Sequence, residues 1–438
     1  MKNNASDKHS PKQLARIAPI VRGLLAEETG SRDIPYKPVI LKSLTSKEAI
    51  DFAGSAKNAE QVGWDLPHRK KIGGLKPTLR TLLESQKPPL FLYAPVKSAV
   101  PEKIRKRLSN SISDYSAKHN CKPEMICLRD LGILYIEPGS SIPDTRKARK
   151  SSLENRESAA RHPAERIEPD LPLKNKVALV TGAAGAIGYG ICCGLLEKGC
   201  HLVATDLPGK KLDNFTADLK QIAGDRVIGI PIDVTDKDSI VRGLESVILT
   251  WGGIDIVVVN AGIPLVSYLK DIELDDFRRL EKVNVEGTFL TLREIARHFI
   301  LQGTGGDIII VSTKNVPSPG AGFGAYSATK AAAHQLGRIA SIELAQYGVR
   351  VNMVAPDAVF SEGKYKSGLW EEIGPSRMKA RGLDNDQLQE YYRNRNLLKV
   401  RITGRHVSNA VLFFATRQTP TTGATIPVDG GLPDATPR

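Results

Sequence analysis

What the chain lacks narrows its class first. It has only five cysteines in 438 residues, Cys121, Cys127, Cys192, Cys193 and Cys200, an odd set without paired spacing. That argues against a disulfide framework and for a reduced, cytoplasmic compartment. No run of 18 apolar residues occurs, and the opening "MKNNASDKHSPKQLARIAPIVRG" holds no apolar core of signal-peptide length. The expectation is a protein that is neither secreted nor partnered with a membrane. Zinc-finger spacing, an RNA-binding aromatic signature and a long basic helix are missing too, so no nucleic-acid partner is expected. Residues 1–170 hold just four histidines, His9, His68, His119 and His162, with no closely spaced pair. Three protein ligands for a divalent metal cannot be drawn from them without distant carboxylates, so no metal site is expected.

Acidic residues are scarce at the front. Residues 1–170 carry 31 Lys/Arg against 20 Asp/Glu, whereas residues 171–438 carry 31 against 28, so most of the net +14 lies in the first part. The clusters "HRKK" (68–71), "EKIRKR" (102–107) and "RKARK" (146–150) can serve as polyanion contacts or as an ordinary solvated surface. From 146 to 170 the chain reads "RKARKSSLENRESAARHPAERIEPD", almost without large apolar residues, the composition of a linker or a solvated helix. With roughly 100 to 200 residues per domain, the organisation expected is a first domain at 1–150, a linker at 151–170 and a second domain at 171–438.

The second domain shows a regular alternation. "KVALVTG", "HLVATD", "RVIGIPID", "IDIVVVN", "GDIIIVS", "VRVNMVAP" and "GATIPVDG" read as seven strands separated by helix-length segments. Continuous apolar strands with helical crossovers predict a parallel sheet covered on both faces, a doubly wound α/β domain. Its first strand runs into "TGAAGAIGYG" (181–190), where Gly182, Gly185 and Gly188 permit a sharp turn and let a pyrophosphate approach the amides that open the next helix. Asp206 ends the second strand, eighteen residues beyond Gly188. Its carboxylate can accept hydrogen bonds from an adenosine ribose and repel a 2′-phosphate, or it can cap the following helix. Asp233, ending the third strand, can meet an adenine edge or act as a cap.

The stretch "VSTKNVPSPGAGFGAYSATKAA" (311–332) sets Tyr326 and Lys330 four residues apart on one helix face. An ammonium beside a phenol favours phenolate, and a tyrosine with its usual pKa of about 10 needs such a correction to act as a base near neutral pH.

Taken together, residues 174–431 resemble a short-chain dehydrogenase/reductase. The likeness is carried by "TGAAGAIG", by "VVNAG" (258–262), "VNVEGTF" (283–289) and "YSATK" (326–330), and by the terminal "IPVDGG". It implies a seven-stranded Rossmann sheet, NAD as cofactor and alcohol/carbonyl interconversion on a small-molecule substrate. By the same resemblance Tyr326 is the general acid/base. Lys330 lowers its pKa and holds the nicotinamide ribose, Asn284 supports a proton-relay water, and Thr313 stands where the family usually has a serine. Asn260, Ala261 and Gly262 would line the adenosine and ribose side, and Ile187 and Val234 join the cofactor-binding set. Ala186 replaces the family's middle glycine. Ser312 should turn to the opposite face from Thr313 by strand alternation.

A narrower likeness lies in "STKNVPSPGAGFGAY", "APDAVF" and the insert at 375–398, which are similar to the dehydrogenase half of bifunctional aldolase/short-chain dehydrogenases. At the front, "ARIAPIVRGLL", "VGWDLPHRKKIGGLKPTL" and "PEMICLRDLGILYIEPG" resemble pieces of a rhamnulose-phosphate-type class II aldolase. Residues 1–150 are therefore expected to form a smaller, degenerate α/β domain without catalysis. In the longer insert at 357–403, Arg377, Lys379, Arg381, Arg393, Arg395 and Lys399, with Lys314 nearer the chemistry, can meet a substrate anion or stay solvated. The expected activity is an NAD-dependent dehydrogenase for a hydroxy-aldehyde, polyol or sugar-derived alcohol, the alternative a catalytically weak NAD-binding protein. Helices near 277–301 and 325–347 have apolar positions suited to a homodimer or homotetramer contact, or to their own sheet.

Overall fold

The computed structural model describes residues 10–31, 34–55, 89–92, 100–137, 171–361 and 363–433. The expected linker, the basic clusters at 68–71 and 146–150, the aldolase-like stretch at 62–79, and His9, His68 and His162 lie outside the described residues.

The front unit runs α1 (Ser10–Leu25), a two-residue ladder of β1 (Glu27–Glu28) with β2 (Tyr36–Lys37), β3 (Leu41–Leu44), α2 (Lys47–Ser55), β4 (Leu90–Leu92), α3 (Pro101–His119), β5 (Met125–Leu128) and β6 (Gly132–Ile136). Proline at the first position of α3 has its φ already set for a helix, and Asn120 ends the helix in the left-handed region at φ 55°. A four-stranded sheet in the order β3-β6-β5-β4 results, with only β4 and β5 parallel. This is the smaller α/β unit the sequence predicts. On α3, Lys103, Lys106 and Arg107 are exposed, while Arg105 donates to the Leu301 carbonyl of the second unit.

The second unit begins with β7 (Val177–Val180), α4 (Ala186–Glu197), β8 (His201–Asp206), α5 (Lys210–Ala223), β9 (Val227–Pro231), α6 (Lys237–Trp251) and β10 (Ile256–Val259). It continues with α7 (Leu274–Leu280), a π-helical turn at Glu281–Glu286, α8 (Gly287–Gln302), β11 (Gly306–Val311), α9 (Gly324–Leu344) and β12 (Val349–Pro356). Then come β13 (Val359–Phe360), α10 (Gly368–Arg381), α11 (Asn385–Arg395), β14 (Ile402–Thr403), α12 (Gly404–Ala415) and β15 (Thr425–Val428). All seven strands read from the sequence form one parallel sheet, in the order β15-β12-β11-β10-β7-β8-β9. Strands β7, β10 and β11 are buried along their whole length, as their unbroken apolar runs require. Helices α4 and α12 cover one face with Ile191, Leu195, Val407 and Val411; α6 and α8 cover the other with Val247, Trp251, Ile295 and Phe299. Strand order reverses between β7 and β10, so the connections that follow them leave to opposite sides and open a crevice at their carboxyl ends. Among the described residues no helix is long and apolar enough to cross a membrane.

The front unit does not float beside this sheet. Ile248 of α6 belongs to the core formed by Leu14, Ile17, Val21 and Leu108, and Leu301 packs against it. At that seam Arg22, 1% exposed, reaches both carboxylate oxygens of Asp255 at 3.0 and 2.7 Å. It also donates to the carbonyls of Val39 (2.8 Å) and Asn175 (3.3 Å), and Asp255 accepts the Val177 amide at 2.7 Å. Burial alone would raise the Asp255 carboxyl, but the Arg22 charge and hydrogen bonds outweigh it and hold the group below the usual range. Beside the pair, His298 accepts the Ile254 amide at 3.0 Å, and burial holds its imidazole down to about 4.

Two outcomes follow from this seam. Removing one partner of a buried, hydrogen-bonded ion pair strands the other charge, so Arg22→Met should cost about 3–5 kcal/mol in urea unfolding. His298 has a lower pKa folded than its ordinary 6.5, so the unfolded chain binds the proton first. Its contribution is complete above pH 6.5 and is lost as pH falls towards 4, amounting to about 3 kcal/mol. Stability measured across that window should fall, and His298→Gln should flatten the slope.

Candidate active site

The crevice is organised by the two strand ends that border it. Thr181, following β7, accepts the amides of Asn260 (3.0 Å) and Ala261 (3.1 Å) on its hydroxyl, while the Asn260 side-chain amide donates to the carbonyls of Thr181 (3.0 Å) and Gly182 (2.8 Å). Gly182 sits at φ +59°, and a Cβ there would lie 2.7 Å from the Ala261 Cα, so only glycine lets the turn pass this close. Gly188 is packed against the Ala183 backbone, whereas Gly185 has nothing within 4 Å of a would-be Cβ and faces open space. Gly185 starts α4 with no side-chain cap, leaving amides directed at the crevice. Ala186 is 2% exposed, so its methyl adds little to the crevice wall, and its amide donates to the Lys366 carbonyl at 3.2 Å.

The acidic residues divide their roles. Asp206 accepts the amides of Ala184 (3.0 Å) and Leu207 (2.9 Å), and α5 starts at Gly209 without a side-chain cap, so the helix-cap alternative for Asp206 falls. The Asp233 carboxylate accepts the Thr235 amide (2.9 Å) and hydroxyl (2.8 Å), closing a turn, while Asp236 caps α6. Both carboxylates line a cavity of about 1330 Å³, as do Gly182, Gly185, Ile187, Gly188, Val234, Asn260, Ala261 and Gly262. Thr313, Tyr326 and Lys330 line the same cavity.

Asn284 lies against the loop after β10. It is 1% exposed, lies in the π-helical turn and does not line the cavity. Its side chain accepts the Ile263 amide (2.9 Å) and donates to the Ile263 carbonyl (3.0 Å) and the Thr329 hydroxyl (3.2 Å), bracing the loop after β10 against α9. A Cβ at Gly262 would meet the Asn284 oxygen at 3.1 Å and the Lys330 ammonium at 3.5 Å, so the bare glycine lets both approach the loop.

Ser312 and Thr313 follow the end of β11 and both line the cavity, which is not the separation that strand alternation predicts: the Ser312 hydroxyl meets His334 on α9 at 2.9 Å, and the Thr313 hydroxyl is the one that bears on Tyr326. The Tyr326 phenol is pushed up to about 12 by burial, with Asp357 adding to the shift and the Thr313 hydroxyl opposing it. Lys330 is 8% exposed and donates to the Val311 carbonyl at 2.8 Å, and burial draws its ammonium down to about 8. The expected depression of the phenol by Lys330 is therefore absent from this geometry: desolvation dominates, and the ammonium is engaged by a backbone carbonyl.

The insert holds what sequence reasoning saw only as charge. Lys379 is exposed, Arg393 pairs with Glu390 at 2.7 Å, Lys399 donates to the Asn394 carbonyl, and none of them lines the cavity. Arg377, Arg381 and Arg395 do line it, beside Tyr392 and Asp357. Lys314 donates to the Ser318 carbonyl at 3.2 Å. Tyr365, stacked on Tyr189 at 4.1 Å and bonded to Asp218, was not singled out from the sequence; its only local signal is an aromatic in the segment after β12.

A family model for the short chain dehydrogenase matches residues 176–372. The glucose 1-dehydrogenase of Gluconobacter oxydans is 31% identical over 59% of this chain and 91% of its own length. The uncharacterized oxidoreductase YuxG of Bacillus subtilis is 35% identical over 272 residues, 62% of this chain, but this chain covers only 39% of that relative. Among solved structures, sorbitol-6-phosphate 2-dehydrogenase SrlD from Erwinia amylovora matches with a TM-score of 0.54 and 27% identity, covering 58% of this chain and 98% of that one. The chain belongs to the short-chain dehydrogenase family.

Lys330 yields a test that needs no substrate. Its folded pKa of about 8 lies below the ordinary 10.5, so the fold disfavours the charged form. That penalty is complete below pH 8 and fades as pH rises towards 10.5. Lys330→Met should accordingly stabilise the free protein by about 1–3 kcal/mol at pH 7, and by less at pH 10, measured by thermal unfolding at the two pH values.

Proposed function

We propose that the protein is an NAD-dependent oxidoreductase that interconverts an alcohol and a carbonyl on a small hydroxy-aldehyde, polyol or sugar-derived substrate. The observation that carries this reading is that Thr313 and Tyr326 share one cavity with Asp206 and the uncapped start of α4. An anion suits the start of a helix that no side chain caps, and a ribose diol suits the Asp206 carboxylate, so these residues fit a dinucleotide. The bound nicotinamide supplies or accepts the hydride. The chain's own residues handle the proton: the Thr313 hydroxyl hydrogen-bonds the substrate oxygen, and Tyr326 gives its phenolic proton to that oxygen in reduction or takes it in oxidation. A phenol raised to about 12 is protonated at neutral pH, which suits the reducing direction. Lys330 and Asn284 act through position, Lys330 at the cofactor's ribose and Asn284 by fixing the loop that faces it.

The names of the relatives support sugars and polyols as the substrate class. The kinship of the front unit with class II aldolases belongs to this proposal, on motif likeness, with residues 1–150 serving in packing rather than catalysis. Phe289, Ile339 and Ile342 leave large apolar surface on α8 and α9, at 44%, 43% and 78% exposure, and support a homodimer or homotetramer through those helices.

The reading predicts turnover of a polyol or hydroxy-aldehyde with NAD, followed at the nicotinamide absorbance. Thr313→Val should lose on the order of 10²–10³ in rate, Thr313→Ser should keep most of it, and Tyr326→Phe should lose more than either. NAD affinity should be unchanged in all three. A wild type with tight NAD binding and no turnover on any such substrate would favour the weakly catalytic alternative. NAD should bind far more tightly than NADP, because Asp206 meets a 2′-phosphate as a like charge; equal titrations would remove that role.

A further inference from the structure

Beyond Tyr326 the cavity ends in a cluster of three guanidinium groups. Arg377 lies over the Phe323 ring, 4.6 Å from its centroid, and donates to the Ala321 carbonyl at 3.3 Å. Arg381 lies 4.3 Å over Tyr391, and Arg395 lies 4.6 Å over Tyr392. Only Arg395 has a carboxylate partner among the described residues, Asp357. Glu371, which also lines the cavity, pairs with Lys366 at 3.6 Å. Tyr392, 7% exposed, sits where the charges of Arg377, Arg395, Arg381 and Asp357 all bear on its phenol. Two positive charges are therefore left over at the substrate end of a crevice whose other end is suited to the dinucleotide.

Arg381 is exposed, but Arg377 is not simply a solvated side chain. The Arg377 Nε is buried with no hydrogen-bond partner, which costs free energy until an acceptor arrives. Stacking on Phe323 fixes the plane of its fork, so little side-chain entropy remains to be lost on binding. Phe323 in turn lies 6.2 Å from the Tyr326 ring, so the guanidinium stands one aromatic ring away from the proposed acid/base.

We propose that Arg377 and Arg381 form an oxyanion subsite that selects substrates carrying a terminal phosphate ester or carboxylate a short carbon chain away from the reacting carbinol. This rests on the dehydrogenase reading of the same cavity. Arginine suits the role because its planar fork can donate two parallel hydrogen bonds to one oxyanion.

The test is calorimetric binding to the NADH-loaded full chain, with sorbitol, gluconate and sorbitol 6-phosphate as probes, for wild type, Arg377→Met, Arg377→Lys, the Arg377→Met/Arg381→Met double variant and Lys379→Met. Wild type should bind at least one charged probe about tenfold or more tightly than sorbitol. The double variant should lose about 10²-fold for the charged probe and little for sorbitol. Arg377→Lys should recover part of the loss, and Lys379→Met should behave as wild type. Preference for sorbitol 6-phosphate identifies a phosphate site and preference for gluconate a carboxylate site. Equal or undetectable binding of all three probes, or an equal loss for all three in the double variant, overturns the proposal. NADH affinity of each variant reports that the fold is intact. Turnover of the same probes separates the two readings: an Arg-dependent charge preference without turnover sinks the dehydrogenase function and keeps the subsite, while equal turnover of sorbitol and the charged probes, unchanged in the double variant, does the reverse.

Discussion

The pair of side chains Thr181 and Asn260 holds the rest of the site in place. Four hydrogen bonds between them and the adjoining backbone tie the end of β7 to the end of β10, at the point where strand order reverses. The ladder adds one more bond there, from the Thr181 amide to the Val258 carbonyl at 3.0 Å. With the clasp in place the glycine turn passes within contact of Ala261, the start of α4 faces the crevice, and the loop after β10 lies close to Lys330. The side chain that a motif reading assigns to the cofactor thus spends its amide on the backbone beneath it.

Electrostatics sorts the cavity into two ends. Asp206 and the helix start of α4 suit a dinucleotide, whereas Arg377, Arg381 and the Arg395–Asp357 pair leave positive charge beside Tyr392. Between them Tyr326 and Lys330 are both desolvated, and each shifts towards its neutral form. Burial makes the phenol a donor and loosens the lysine's hold on its proton, a poise that a surface pair at the same spacing would lack.

The front unit carries a different lesson. None of its described residues lines the cavity, yet Arg22 reaches across the seam to the carboxylate that also holds the first amide of β7. Stability of the sheet's central strands and docking of the front unit therefore share one buried charge pair. The mechanical link between the two units is local and polar, set within an apolar contact formed by Ile248 and Leu301.

All seven strands, their parallel arrangement and the glycine turn were legible in the sequence, because each is written in local features: unbroken β-branched runs and positions needing positive φ. Most of the predicted site residues share one cavity for the same reason, since motif order along a doubly wound sheet places them at the strand ends. The partners of Asn284 were not legible, because Ile263 and Thr329 lie 21 and 45 residues away in the sequence. The state of Tyr326 and Lys330 escaped because spacing gives proximity but not burial. Arg22 with Asp255, separated by 233 residues, and Arg377 over Phe323 were decided by tertiary structure alone. A buried charge finds its partner only when the chain has folded around it, so the partner's identity depends on desolvation and shape that no short window of sequence contains.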